Sequence, residues 1–387
     1  MSKIDHPDHY NHAGSQYEVI NIIENWELGF CLGNTLKYIL RAGRKENELE
    51  DLEKALWYLR RDAKNRNSTF RTPDISESDV INAYKLHNSH LAKVIKTLHH
   101  PCKDEAIDAL KKHILSVKFR NKRTVAFDLD DTLAHSKQVL KQDMAKKLLE
   151  LASTGRQIVI ISGASYKQMQ KQVIPILEGV YLNQLHDVVG RIHLMPTSGA
   201  THFVLTGVEE DTGQYRDPPR ASVTGDYSFS FTKVHDIKIS KEEIERIKDN
   251  IVQSGILALS PEKTYGNVVE DRKSQVTISF LGQKAPLNEK RQFDPDRSIR
   301  KTVVRILQSK LPEYDIALGG STSVDIVMKG VNKGDSLKRM GPPEELIFFG
   351  DALHPGGNDY TVKQAGFDVI EVNSPHDTYA KITDLLK

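Results

Sequence analysis

Between residues 17 and 66, apolar side chains recur at helical intervals: Val19, Ile22, Ile23 and Trp26, then Leu36, Ile39 and Leu40, then Leu52, Leu56 and Leu59, with glycines at 29, 33 and 43 punctuating them. That spacing predicts a small helical unit. Residues 65–78 are polar and read as a linker, and residues 80–119 carry two more amphipathic helices, over about 77–98 and 103–117. After Arg123 the period changes. Short β-rich apolar runs at 125–127, 158–161, 192–194, 346–349 and 369–372 alternate with helical stretches, the pattern of a parallel sheet covered on both faces. From about 212 to 331 it changes again, to TKVHDIKIS, SQVTISFLG and TSVDIVMKG with two helices between them, which predicts an inserted α+β domain. The expected organisation is α/β: an all-helical unit over 1–68, a helical linker or subdomain over 69–120, a parallel-sheet core from 121–211 and 332–387, and an inserted cap over 212–331.

Composition narrows the function classes. A chain of 387 residues with 54 Lys and Arg against 52 Asp and Glu gives no global electrostatic reason to bind nucleic acid or a membrane, although local patches stay open. No apolar run approaches the roughly 18 residues of a membrane span. The two cysteines, Cys31 and Cys102, lack metal-ligand spacing, and no charged-then-apolar leader opens the sequence, so a reduced, cytoplasmic setting is expected. Oligomeric state stays open.

Chemistry concentrates where apolar runs stop. VAFDLDDTLA carries Asp128, Asp130 and Asp131 at the end of a strand, and like charges so close raise one another's pKa unless something uses the negative charge. In an open parallel sheet, ligands bind beyond the carboxyl ends of the strands. FFGDALHPGGNDY adds Asp351 and Asp359 after a second strand. Converging carboxylates bind a hard cation through oxygen, and Mg²⁺ in turn invites phosphate. In ISGAS the Ser162 hydroxyl and the amides around Gly163 offer phosphate donors, and Lys333 in GVNKGDS offers a neutralising charge.

The ordered set FDLDDTL, ISGAS, Lys333 and GDALHPGGND resembles the four motifs of the haloacid dehalogenase-like superfamily of phosphotransferases, over residues 121–387. The resemblance implies that Asp128 is the nucleophile that becomes an aspartyl-phosphate and Asp130 the general acid and base. It also implies Mg²⁺ held by Asp128, the Asp130 carbonyl and Asp351, with Asp359 supporting the loop. Asp131 takes a place often held by glycine and is expected to be structural.

A cap between the second and third motifs resembles the branch of phosphomannomutases and sugar-phosphate phosphatases, and PGGND and GGSTSVDIVMKGVNK are similar to the phosphomannomutase form. That match implies that Ser323, Asp325 and Arg272 face the substrate; a spacing of two along a strand equally makes Ser323 and Asp325 simply one polar face. The chain departs from that family at Gln283, where a second arginine is expected, and in PTSGATHF, which lacks an acidic residue. A mutase must grip phosphate at both ends and exclude water, so a lost arginine favours hydrolysis. A Mg²⁺-dependent phosphatase acting on a sugar phosphate is therefore expected first, a phosphohexomutase second. A nucleotide-handling or nucleic-acid-associated protein whose helical unit selects the substrate is third.

HPDHYN, LGNTLKYILRAGRK and EDLEKALWYLRR, within residues 5–66, resemble a small, mainly phage-encoded helical family of poorly defined role. His6, Asp8 and His9 are metal-ligand types without further clustered ligands, so capping or packing is expected of them. Glu24 with Glu27 and Glu50 with Glu53 form ExxE pairs reminiscent of the Mg²⁺ sites of all-α nucleotide pyrophosphohydrolases, a spacing also common on solvated helices. Lys37, Arg41, Arg44 and Lys45 make a basic helix end suited to a phosphate or to the helix dipole.

Overall fold

The computed structural model describes residues 15–44, 47–64, 74–86, 90–181, 188–210, 227–319 and 322–386. The chain forms two bodies, residues 1–121 and 122–387. His6, Asp8, His9, Lys45 and most of the expected linker lie outside the described residues.

The first body is helical, with Val19–Asn25, Phe30–Arg41 and Glu48–Lys64 on the expected apolar stripes. The stretch expected as one helix over 77–98 is two, Glu77–Ala83 and His90–Thr97. The first of these ends where Lys85 turns left-handed (φ 55°), the Lys85 amide donating to Asn82 and the Leu86 amide to Ile81. This is a Schellman stop, which usually announces itself by glycine. Short helices bury too little to stand alone, and these share one core: Ile22, Leu36, Leu52, Val80, Val94 and Leu110 belong to a single buried cluster. Trp26 Nε1 donates to the Ile75 carbonyl at 2.7 Å, and the Tyr84 hydroxyl to the Tyr17 carbonyl at 2.9 Å. The expected division into 1–68 and 69–120 is therefore corrected to one packed unit.

Among the described residues the second body carries eleven strands: β1 (Thr124–Phe127), β2 (Gln157–Ile161), β3 (Ile192–Met195), β4 (Thr201–Glu210), β5 (Tyr227–Asp236), β6 (Val269–Asp271), β7 (Gln275–Ser279), β8 (Tyr314–Leu318), β9 (Ser323–Met328), β10 (Leu346–Gly350) and β11 (Asp368–Glu371). Seven form one sheet in the order β11-β10-β1-β2-β3-β4-β5. The pairs from β11 to β3 are parallel, and β4 and β5 add an antiparallel edge. β1 and β10 are buried at every position, as continuous apolar runs between two covered faces should be. From β1 the chain moves outward to β2 on one side and later returns to β10 on the other. The crevice beyond β1 and β10 is thus the switch point at which such sheets bind ligands.

The segment TKVHDIKIS, expected in the insert, instead contributes its first residues to β5, which pairs with β4 from Tyr227 to Asp236. An alternating strand reads the same whichever sheet it joins, so only the pairing assigns it. The insert proper spans residues 237–331. It holds an antiparallel sheet, β6-β7-β9-β8, covered on one face by the helices Lys241–Gln253 and Ser298–Lys310. Ile244, Ile247 and Leu307 pack there on Val276, Ile278, Val324 and Ile326. The pleat sends the alternate residues Gln275, Thr277, Ser323 and Asp325 to the opposite face. Among the described residues no helix is long and apolar enough to cross a membrane.

Gly334, beside Lys333, is where close approach forbids a side chain: a Cβ would lie 2.2 Å from the Thr361 carbonyl oxygen. Backbone cannot give way as a side chain can. Gly334→Ala is expected to destabilise the second body by about 1–3 kcal/mol, read as a lowered thermal unfolding midpoint; an unchanged midpoint would contradict this packing.

Candidate active site

β1 and β10 run in register, Phe127 opposite Phe349, and the Asp128 amide continues the ladder to the Phe349 carbonyl at 2.9 Å. Asp128 and Asp351 therefore leave adjacent strand ends together. Asp359, fully buried, returns in the following loop and accepts from the Ala352 amide at 3.1 Å. Carboxylate oxygens of Asp128, Asp351 and Asp359 lie within 4.8 Å of one another.

Lys333 enters this cluster from the start of the short helix Lys333–Leu337. Its Nζ donates to Asp128 Oδ1 at 2.5 Å and to Asp359 Oδ1 at 2.6 Å, and the side chain is 1% exposed. Burial pushes the Asp128 carboxyl well above the usual range, while the Lys333 ammonium pulls it back. Burial also opposes the lysine charge, but Asp128 and Asp359 more than offset it and hold Lys333 protonated. Burial raises Asp351 too, with the Asp359 charge adding to it. Three carboxylates against one ammonium leave a local excess of negative charge. Oxygen-only donors with such an excess suit a hard divalent cation.

Asp130 points into a tight loop. The Lys137 amide donates to its Oδ1 at 2.7 Å, and burial raises its pKa, opposed by that hydrogen bond and reinforced by the Asp131 charge. Asp131 is exposed, left-handed (φ 59°), and accepts from the Ser136 amide. The preference for glycine at this place follows from that φ, which Asp tolerates better than most residues.

The Ser162 hydroxyl accepts from the Ala164 amide at 3.1 Å, capping the turn after β2. The neighbouring segment Thr197–Gly199 braces this turn: the Thr197 amide donates to Ala164 and the Ser198 amide to Ser162. All three of its residues have positive φ, and two are not glycine, which places stored strain against the turn. From the insert, Ser274 Oγ donates to Thr197 Oγ1 at 3.0 Å, and Arg272 Nη1 to the Gly163 carbonyl at 3.2 Å. Arg272 also pairs with Glu270 at 3.1 Å. A Cβ on Gly163 would lie 3.8 Å from Asp325 Oδ2, so the polar face of the insert meets the core turn. Asp325 accepts from Thr277 Oγ1 at 2.8 Å, and burial raises its pKa against the Arg272 charge. Ser323 lies on the same face: a Cβ on Gly319 would approach both its Oγ and Asp325 Oδ2. Gln275 Oε1 on that face is buried without a hydrogen-bond partner.

Two residues escaped the sequence reading. Lys137 Nζ and Lys290 Nζ both donate to the Gln283 carbonyl, at 3.3 and 2.9 Å, and Lys137 also reaches Gln283 Oε1. Lys290 is 6% exposed; burial, followed by the neighbouring Lys137, brings its pKa down to about 8. Neither has a carboxylate partner among the described residues. In the sequence each is an unremarkable surface lysine, and only the fold shows that they surround Gln283.

The helical body does not assemble the metal sites suggested by its ExxE pairs. Glu50 pairs with Lys54 and Glu53 with Lys118, Glu24 is exposed, and Glu27 lies beyond its helix with φ 49°. Among the described residues, the Asp128, Asp351 and Asp359 group is the cluster of metal-ligand type. The basic helix end serves the fold: Arg41 pairs with Asp51, and Arg44 donates to the Leu40 and Tyr84 carbonyls.

The chain is similar to known proteins in sequence and in fold. The family model of eukaryotic phosphomannomutase matches residues 233–387, and that of DUF3310, a protein family of unknown function, matches residues 4–60. A probable phosphomannomutase of Caenorhabditis elegans is 25% identical over 276 residues, spanning 68% of this chain and 96% of that protein. Phosphomannomutase 2 of Dictyostelium discoideum is 26% identical over 278 residues, 68% of this chain and 97% of its own. The N-terminally truncated IMP-nucleotidase of Plasmodium falciparum shares the fold, with a TM-score of 0.50 at 12% identity, over 95% of this chain and 98% of that one. These likenesses mark a phosphoryl-transfer enzyme.

Removing Lys333 leaves two buried carboxylates facing each other without a counter-charge. Lys333→Ala is expected to cost about 3–5 kcal/mol of stability, measured by urea unfolding at neutral pH, and part of that loss should return at acid pH, where the carboxylates are protonated. A variant as stable as the parent would contradict the assigned pairing.

Proposed function

We propose that this chain, whose residues 122–387 belong to the phosphomannomutase and phosphatase branch of the haloacid dehalogenase-like superfamily, hydrolyses a sugar phosphate through an aspartyl-phosphate on Asp128. The observation that carries this is the Asp128–Lys333–Asp359 bridge at the switch point, with Asp351 beside it. The donor set fits Mg²⁺, which Asp128, Asp351 and the Asp130 carbonyl would hold, with Asp359 positioning the loop. When bound, the ion neutralises charge on the transferring phosphoryl group.

Asp128 Oδ attacks phosphorus as the sugar oxygen leaves, and Asp130, whose pKa burial raises, gives that oxygen its proton. Asp130 then takes a proton from water, which attacks the aspartyl-phosphate and releases inorganic phosphate. Ser162 and the Gly163 amide hold phosphoryl oxygens. Lys333 favours the ionised form of Asp128 against the effect of burial. Arg272, Ser323 and Asp325 contact the leaving group from the insert, whose buried polar face, including the unpartnered Gln275 Oε1, suits a polyhydroxy ligand better than an apolar one.

A mutase is the second reading, and Lys137 with Lys290 favours it. Gln283 removes one arginine, yet two ammonium groups gather around it and supply a grip for a second anionic end. Incubation with glucose 1-phosphate or mannose 1-phosphate, with and without a hexose bisphosphate, separates the two: hydrolysis releases inorganic phosphate in both conditions, whereas isomerisation to the 6-phosphate on adding bisphosphate would reverse the order.

Asp128→Asn removes the nucleophile with almost no change in volume, and is expected to lower turnover by more than about a thousandfold while the unfolding midpoint is retained. Substantial residual turnover in protein free of deamidation would take Asp128 out of that role. The second grip has its own signature. Because burial brings the Lys290 pKa down to about 8, its charge is present below that pH and lost above it, so kcat/KM for a substrate with two anionic ends should fall as pH rises through this range. Lys290→Arg stays charged and should abolish that limb; a limb unchanged in the arginine variant would exclude Lys290 as its source.

A further inference from the structure

The helical body presents a surface that the reaction does not use. Phe30 is 76% and Trp57 55% exposed, and they are the aromatic members of the exposed large hydrophobic residues described. Both sit against one ring, Tyr58: Phe30 at 5.8 Å and Trp57 at 4.8 Å between centroids, each edge to face. Tyr58 in turn stacks on Tyr38 at 5.9 Å, with 16° between the planes. The helices Phe30–Arg41 and Glu48–Lys64 thus carry four rings in one connected cluster.

Cations are interleaved with the rings. Lys37, Arg41 and Lys54 lie 4.5, 4.9 and 5.8 Å from the Tyr38 centroid, and Arg61 lies 5.4 Å from that of Trp57. Arg41 is committed to Asp51 and Lys54 to Glu50, but Lys37 is bound only to the Asn34 side-chain oxygen by side-chain hydrogen bond, and Arg61 has no carboxylate partner among the described residues. Exposed rings attract any apolar partner. Rings flanked by uncommitted cations attract one that is both flat and anionic.

We propose that this face binds single-stranded nucleic acid, with bases stacking on Phe30 and Trp57 and phosphates meeting Lys37 and Arg61. A duplex hides its base faces, so a single strand is the form that can use the rings. Two exposed rings on an open surface, joined through Tyr58, fit successive bases of a strand better than one enclosed nucleotide. The near balance of total charge does not oppose this, since the contact is local and strongly salt-dependent. The inference is independent of the reaction proposed for residues 122–387.

The test is fluorescence anisotropy of a labelled oligodeoxythymidylate of roughly 12 nucleotides titrated with the full chain. Binding that weakens with salt and quenches Trp57 is expected. Phe30→Ala and Trp57→Ala should each weaken it by roughly five- to a hundredfold, Trp57→Phe should largely preserve it, and Lys37→Ala or Arg61→Ala should reduce the salt slope by about one. Phe30, Trp57 and Arg61 are exposed and Lys37 is half-buried, and the thermal unfolding midpoint should be retained in every variant, which reports that the helical body stays folded. Absence of binding at low salt, or binding indifferent to both alanine variants, overturns the proposal. So does a dimer that Trp57→Ala dissolves while the parent ignores the oligonucleotide, because the face would then join two copies of this chain.

Discussion

Buried like charges are unstable unless something holds them, and the second body is organised around one solution to that problem. Lys333 lies between Asp128 and Asp359, reaching both at hydrogen-bond distance with almost no exposure. Three segments distant in sequence must come together for this: the end of β1, the loop after β10, and the helix that follows the insert. Gly334 has no side chain because that helix lies against Thr361, and Gly350 has none because Asp359 does; a Cβ there would lie 2.4 Å from the carboxylate. Packing and electrostatics therefore constrain the same few residues.

The insert completes what the core cannot do. Core groups at the strand ends can reach only a phosphoryl group and a cation, so they cannot tell one leaving group from another. The pleat of β7 and β9 sorts apolar side chains toward their own helices and polar ones toward the core turn. Arg272 fixes the register of that contact through the Gly163 carbonyl, and the strained Thr197–Gly199 segment links the insert, through Ser274, to the same turn. The phosphate and leaving-group contacts proposed for these residues thus share one support.

Much of this was legible in the sequence, and the exceptions have definite physical causes. Fully buried parallel strands read clearly because each is a short apolar run that stops at polar residues, as at Phe127 before Asp128 and Gly350 before Asp351. β5 was misassigned because alternation specifies a strand but not its neighbour. The break at Lys85 was missed because the left-handed residue is not glycine. Lys137 and Lys290 carry no local signal at all; their meaning arises from convergence on Gln283 across a loop of the core and a helix of the insert. In the helical body the ExxE spacing was real, but each pair was already answered by surface lysines or left apart in space.

The central claim is that phosphate passes through a covalent bond to Asp128. Rapid acid quenching during turnover of a ³²P-labelled sugar phosphate, followed by proteolysis and peptide sequencing, tests it directly. The account predicts one labelled peptide, containing Asp128, whose label is stable in acid and released by hydroxylamine, as expected of an acyl phosphate. Turnover with no protein-bound label in the quenched steady state and under single-turnover conditions, or a label on any other residue, would contradict it.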